Sequence, residues 1–579
     1  VKKFYWVTDD IRTTLSRGYI GNEITVEQRY RQIADHFETV TKRKGISDKI
    51  YDYCSRNLIS FSSPILSNFG TNKGLPISCN FGTNKGLPIS CNFGVVEDTM
   101  NDIAYGEYEM SMLAKNGAGT AKNFTPIRGL GEKYGKDKSG TSPGQVSWIQ
   151  SYASKIAKMS QGGMRRGFLT AWNSILHADI DSFLNIGMDG DPKEDIGYSI
   201  QNITTGVTIP AGVMERMEEL KMISPNEWTA DDTKLMSAYA KLIKRRSEKG
   251  FPYILFEDNC NKGKAQVYKD NNMHIFTSNI CTEVIEYCDK DTEFACALLS
   301  LNALHYDDWP KDLVWLGMIM LDAVMEEYIK LATNLPGFKK AMNFANKHRA
   351  VGLGLLGFHS YLQKNMISWG SIESYQVNHK IFKRMDVESL KASKELAKEL
   401  GEPEILKGYG ERFTSRLAVA PNKSSGEIMG GVSQGIGVIK SNYHEKANAK
   451  NQTTYKNPLL VELLTKKDLN HRAIWQSILE NNGSVQHITQ LTKHEKDVFK
   501  TYEEVSQVDI IKLAAQRQKF IDQGQSLNLM ISPHATANDI HNLIKLAHEE
   551  GIKTLYYQHS TNGAQIFNRS LLECSACDG

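Results

Sequence analysis

Between about residue 95 and residue 440, short runs rich in β-branched residues alternate with amphipathic runs of helical period. No other feature constrains the fold as much, because strands that take turns with helices pack as α/β layers. The flanks differ. Residues 1 to about 60 read as helices: Glu27 to Phe37 has a mixed amphipathic pattern, and Ser47 to Leu58 is similar. From Ser441 to Asn457 the chain is polar and rich in Asn and Lys, as expected of a small inserted lobe. Thr536-Ala537-Asn538-Asp539 has the form of a capping box opening a helix that Gly551 closes, with a short strand Ile552 to Gln558 behind it. The last residues are polar and aperiodic, as in a mobile tail. The expected organisation is a helical region over 1–67, an α/β body over 68–560 with the lobe near 440–500, and a tail over 561–579.

At 579 residues the chain is far too long for one small core. Its 41% hydrophobic and 23% charged residues are those of a soluble globular protein, and a net charge of +3 does not suggest a general nucleic-acid binder. The cysteines are Cys54, Cys79, Cys91, Cys260, Cys281, Cys288, Cys296, Cys574 and Cys577. Few and odd in number, they argue for a reducing compartment. The longest apolar run, Leu313 to Leu321, stops at Asp322, too short to span a membrane. Nothing at the N-terminus has the form of a signal peptide, so a cytoplasmic location is expected. His348 to Gly357 holds a GxGxxG, but the residues before it, Lys340 to Lys347, are polar and helical. A dinucleotide site needs a strand there, so close helix packing is the expected role of these glycines.

The stretch Thr277-Ser278-Asn279-Ile280-Cys281-Thr282-Glu283-Val284-Ile285 is rich in β-branched residues and reads as a strand. Alternation then places Asn279, Cys281 and Glu283 on one face, whereas a helix would spread them over about 200°. An amide, a thiol and a carboxylate in a row make a candidate catalytic face. The bland reading is a polar strand face with Cys281 as a small core filler. Close behind, Cys296 sits in the apolar run Glu293 to Asn302, where an inert buried thiol is usual. Upstream, Asn68 to Cys79 recurs unchanged as Asn80 to Cys91, a tandem duplication or an assembly artefact.

These stretches, together with Leu-Pro-Ile-Ser-Cys-Asn near the start, Thr-Leu-Tyr-Tyr-Gln near the end and the terminal Cys-Ser-Ala-Cys, appear in a fixed order. The combination resembles the large, catalytic subunit of class I ribonucleotide reductase, of the phage or bacterial type, over nearly the whole chain. The resemblance implies a ten-stranded α/β barrel preceded by helices, with the Cys281 segment as a loop inside it. It implies reduction of ribonucleoside diphosphates to deoxyribonucleoside diphosphates. Many members carry an N-terminal regulatory module, the ATP cone; with the Ser-Cys motif reached by residue 79, no room for it is expected here.

The resemblance also assigns roles. Cys281 would carry a thiyl radical, Glu283 would act as base on the 3′-hydroxyl, and Asn279 would orient the ribose. Cys296 and either Cys91 or Cys79 would supply electrons and end as a disulfide. The lead-in from Ser63-Pro64 fits Cys79, while the distance onward to Asp98 fits Cys91, which is preferred. Cys574 and Cys577 would reduce that disulfide by exchange and be recharged by thioredoxin or glutaredoxin; the alternative for such a pair is half a zinc site. Tyr556 and Tyr557 would relay the radical from a separate small (beta) subunit carrying the metal-radical cofactor, so this chain would bind no metal of its own. A regular strand would send the two rings to opposite faces, so stacking would need local distortion. Pro421-Asn422-Lys423-Ser424-Ser425 would hold the substrate diphosphate, with Ser63 and Ser90 or Ser78 as lesser contacts. A dNTP or ATP effector at a homodimer interface would meet Asp98, Arg128, Gln161 and Arg165, the last two in the Gly-rich loop Ser160 to Gly167. Two competing readings are a glycyl-radical or cobalamin relative and a catalytically impaired nucleotide-binding subunit.

Overall fold

The computed structural model describes residues 3–20, 24–71, 88–89, 91–116, 118–161, 165–186, 203–448, 451–561 and 565. The N-terminal part is helical, with Val26–Thr41 opened by a capping box between Thr25 and Gln28 and packed on Ile46–Ser55. The capping box expected at Thr536 is present and opens the helix Ala537–Glu549.

The strands that frame the site are β1 (Ile59–Phe61), β2 (Cys91–Val95), β3 (Gly119–Asn123), β4 (Leu169–Ser174), β5 (Ile203–Ile209), β6 (Tyr253–Phe256), β7 (Phe294–Cys296), β8 (Leu298–Asn302), β9 (Gly352–Leu356), β10 (Thr554–Leu555) and β11 (Gln558–Ser560). A seven-stranded sheet runs β7-β2-β3-β4-β5-β6-β10. Its central strands β2 to β6 are parallel, and β7 and β10 run antiparallel at the two ends. Parallel strands need both faces covered, and β2, β3 and β5 are buried at every position. A three-stranded sheet runs β1-β8-β9.

The two sheets close on each other. Only Ala297 separates β7 from β8, so the chain turns directly from one sheet into the other. At the far side, Leu353 of β9 bridges Leu417, Val419 bridges Gln525, and the Tyr556 amide donates to the Leu527 carbonyl (2.9 Å), which brings the chain back to β10. Going round, the staves are β2, β3, β4, β5, β6, β10, 525–527, 417–419, β9 and the continuous β7–β8: a ring of ten.

Of the GxGxxG glycines, Gly352 and Gly354 lie in strand β9, which corrects the expectation of helix packing, and Gly357 caps the helix Phe358–Lys364. A Cβ at Gly352 would come within 2.4 Å of the Leu298 side chain, and one at Gly354 within 2.7 Å of the Ala418 carbonyl. The glycines let neighbouring staves approach. Outside the ring, the buried helix Leu313–Ala332 packs against the long helix Ile372–Leu400. Residues 443–499 carry a hairpin and three helices around a separate apolar cluster that includes Leu460, Trp475 and Phe499. Among the described residues, no helix is long and apolar enough to cross a membrane.

Candidate active site

The interior of the ring is filled by a cluster of its own, in which Cys91, Phe93, Trp172, Tyr253, Cys281, Val284, Phe294 and Tyr556 are all buried. Cys281 reaches it on a loop. Residues 277–285 form no strand, contrary to the β-branched pattern: Ile280 and Cys281 lie in a turn and Thr282 has φ 68°. The polar side chains decide this. Ser278 Oγ donates to the Val284 carbonyl (2.7 Å), and Asn279 Oδ1 accepts from the Val284 amide (3.1 Å). Such side-chain bonds to backbone offer the chain an alternative to a ladder, and the Thr-Ser-Asn run was the signal for it.

The trio still converges, by folding rather than by alternation. Asn279 Nδ2 donates to Glu283 Oε2 (3.0 Å), and Asn279, Cys281 and Glu283 are all at most 5% exposed. A β-branched residue at positive φ stores on the order of 1–3 kcal/mol and persists only where its surroundings over-determine it. Here three donors hold the loop from two staves: Ser526 Oγ to the Cys281 carbonyl (2.6 Å), Thr554 Oγ1 to the Thr282 carbonyl (2.8 Å) and the Gly524 amide to the Glu283 carbonyl (2.8 Å).

Tyr556 hydroxyl lies 3.7 Å from Cys281 Sγ. The Tyr556 and Tyr557 rings are 4.4 Å apart at 61°, and His559 follows Tyr557 at 5.8 Å. The strand expected over Ile552 to Gln558 is broken at these two tyrosines, between β10 and β11. Tyr556 donates its amide to Leu527 and Tyr557 accepts one from Leu529 (3.0 Å), and this change of partner brings both rings to the same side. Tyr556 is buried and Tyr557 only partly so.

Cys91 opens β2 and Cys296 ends β7, and the antiparallel register sets them directly opposite each other. Opposed residues in such a pair stand about 4.5 to 5.5 Å apart at Cα, inside the range of about 4.4–6.8 Å that a disulfide spans. Cys79, Ser78, Ser90, Cys574 and Cys577 lie outside the described residues, as do the side chains of Cys296, Gln161 and Arg165.

Past the stave 417–419 the chain turns at Pro421, and Asn422 takes the left-handed conformation (φ 54°) that Asn tolerates. The helix Lys423–Ile428 starts there with Ser424 half-buried and Ser425 buried. Asn422 Nδ2 ties the turn to Ser300 Oγ of β8 (3.1 Å) and the Leu355 carbonyl of β9 (3.2 Å). A cleft runs from Ala420 and Pro421 to Ser526 and Asn528, joining the start of the turn to the stave that holds the Cys281 carbonyl through Ser526. Ser63 is buried in the first turn of the helix Ser63–Asn68, just beyond β1.

Beyond the C-terminal ends of β2 and β3, Asp98 and Arg128 form an ion pair, each about one-third exposed, with Arg128 5.0 Å from the Tyr134 ring. Ser160–Gln161 pairs with Arg165–Arg166 just before β4.

Comparison with known proteins settles the family. The family model described as "Ribonucleotide reductase, barrel domain" matches residues 89–406 and 403–558. The ribonucleoside-diphosphate reductase large subunit of Invertebrate iridescent virus 3 is 30% identical, over 96% of this chain and 96% of its own. A putative large subunit from Frog virus 3 is 31% identical over 92% and 93%. Among solved structures, the Actinobacillus ureae class Id ribonucleotide reductase alpha subunit aligns with a TM-score of 0.85, at 40% identity, over 99% of this chain and 100% of that one. The chain belongs to the ribonucleotide reductase large subunits.

In this reductase the barrel expected from the resemblance is present, and its interior loop carries Cys281. Sequence reading missed three neighbours of that loop. Ser526 touches both the Cys281 carbonyl and the Glu283 carboxylate. Tyr253 packs 4.7 Å from Tyr556 and 5.1 Å from Tyr557. Glu286, buried behind the loop, accepts hydrogen bonds from Tyr268 (2.7 Å) and Ser415. Only Glu286 carried a signal, a carboxylate in an otherwise buried run.

Proposed function

We propose that the reductase removes the 2′-hydroxyl of ribonucleoside diphosphates through a thiyl radical on Cys281. The observation that carries this is the unbroken line of contact from the partly exposed Tyr557 through Tyr556 to Cys281 Sγ. In this reading a small subunit docks near Tyr557 and holds the metal-radical cofactor, which supplies the oxidising equivalent. The Cys281 thiyl takes the hydrogen atom from C3′ while Glu283 accepts the 3′-hydroxyl proton and Asn279 holds the ribose. Water leaves C2′ with a proton from one of the thiols Cys91 and Cys296. That pair supplies two electrons and two protons in all and becomes a disulfide, while Glu283 returns its proton to the 3′-oxygen and Cys281 its hydrogen atom to C3′. Cys574 and Cys577 then reduce the disulfide by exchange and pass the oxidation to thioredoxin or glutaredoxin.

The cross-strand register supports Cys91 as the partner of Cys296. The turn at Pro421 to Ser425 supplies amides and hydroxyls for the diphosphate, with Ser63 and Ser90 nearby in sequence to the frame strands. Asp98, Arg128, Gln161 and Arg165 mark the effector site. A homodimer is supported by Met100 and Tyr108, exposed large side chains on the helix Met100–Lys115 that follows Asp98.

Reduction assayed with and without a class I small subunit tests this reading. Turnover is expected only with it, and Cys281→Ser is expected to lose turnover while keeping nucleotide binding. Turnover by Cys281→Ser at the wild-type rate would remove the thiyl from the mechanism.

A further inference from the structure

We propose that Ser526 is a positioning residue whose hydroxyl completes a hydrogen-bond chain to Glu283 once Glu283 has taken the substrate proton. The inference rests on the thiyl reading above and adds a residue to it. Ser526 Oγ lies 2.6 Å from the Cys281 carbonyl oxygen and 3.3 Å from Glu283 Oε2. A serine has one proton to donate and two lone pairs with which to accept. Both the Cys281 carbonyl and an ionised Glu283 can only accept, so in the resting state the two compete for the one serine proton, with the carbonyl at the shorter distance.

Against an ionised Glu283 one proton serves two acceptors, so only one of the two contacts is satisfied at a time. After Glu283 accepts the 3′-hydroxyl proton, its O–H can donate to Ser526 Oγ, and the chain Glu283 O–H to Ser526 O–H to the Cys281 carbonyl is complete. The geometry is thus complementary to the protonated base, the state that forms during hydrogen abstraction, rather than to the resting one. Interactions of this kind lower the barrier instead of tightening binding. Asn279 Nδ2, 3.0 Å from the same Glu283 oxygen, serves the ionised form. The two neighbours divide the work between the two protonation states.

Ser526 is also rigidly placed. It is 5% exposed, its amide donates to the Val419 carbonyl (2.9 Å), and that stave runs directly into the turn at Pro421. One side chain therefore fixes the Cys281 loop at a set distance from the turn proposed to hold the diphosphate.

The test uses the full chain with its small subunit, a substrate carrying deuterium at C3′, and the variants Ser526→Ala, Ser526→Thr and Cys281→Ser. Ser526→Ala is expected to lower kcat about 10- to 100-fold with substrate affinity held within about twofold. It is also expected to raise the 3′-deuterium isotope effect on kcat/KM, because abstraction becomes more limiting. Ser526→Thr, which keeps the hydroxyl, is expected to recover most of the rate. A merely structural role would reduce the number of active sites and leave the isotope effect of the survivors unchanged. Wild-type kcat in Ser526→Ala, or a lowered kcat with an unchanged isotope effect, would overturn the proposal. If Cys281→Ser itself reduced substrate, the thiyl reading would fall instead.

Discussion

Glu286 shows what a single residue behind the Cys281 loop contributes. Burial pushes its carboxyl up to about 8, although Ser415 and Tyr268 hydrogen-bond to it. A carboxyl whose folded pKa exceeds its unfolded value binds more protons in the native state, so its contribution to stability is full below the unfolded value and is lost as pH rises toward the folded one. That window runs from about 4.5 to about 8. Glu286→Gln, which imitates the protonated form, is expected to flatten the fall in Tm across this window relative to wild type. Identical slopes in thermal melts at pH 5 and pH 8 would show that Glu286 does not titrate there. At this scale residue type suggested that Asn279, Cys281 and Glu283 lie together, and Asn279 and Glu283 are hydrogen-bonded on the loop that carries Cys281. Ser526 was invisible, because a serine 245 positions from Cys281 becomes a neighbour only through the barrel.

Among the elements, local signals were read correctly where the local chain decides. The capping box at Thr536 follows from its own residues. Where tertiary contacts decide, the reading failed. The Cys281 segment has strand propensity but is held as a loop by bonds from Gly524, Ser526 and Thr554. The tyrosine pair interrupts a strand because Leu527 and Leu529 take over its backbone partners. The loop's restraint can be measured. Thr554→Val keeps the shape and removes the hydroxyl that serves the buried Thr282 carbonyl (2.8 Å). It is expected to destabilise by about 1–3 kcal/mol and to lower kcat. Urea unfolding with an unaltered midpoint would show that the bond carries no load.

For the whole molecule, alternation of strand and helix gave the fold class, and the resemblance gave the number of staves. What neither could give is closure. The ring is completed through 417–419 and 525–527, which are too short to read as strands, and through a single residue, Ala297, between β7 and β8. Closure also fixes the register that sets Cys91 opposite Cys296 within the same barrel whose interior holds Cys281. The duplication had left Cys79 and Cys91 equally attractive by motif, and the paired strands favour Cys91. The most direct test is a single turnover by pre-reduced Cys574→Ser/Cys577→Ser chain with its small subunit, substrate and no external reductant, followed by disulfide mapping. The account predicts about one deoxynucleotide per active chain and a bridge between Cys91 and Cys296, with Cys79 still a thiol. A bridge between Cys79 and Cys296, or product formed with no disulfide inside the barrel, would contradict it.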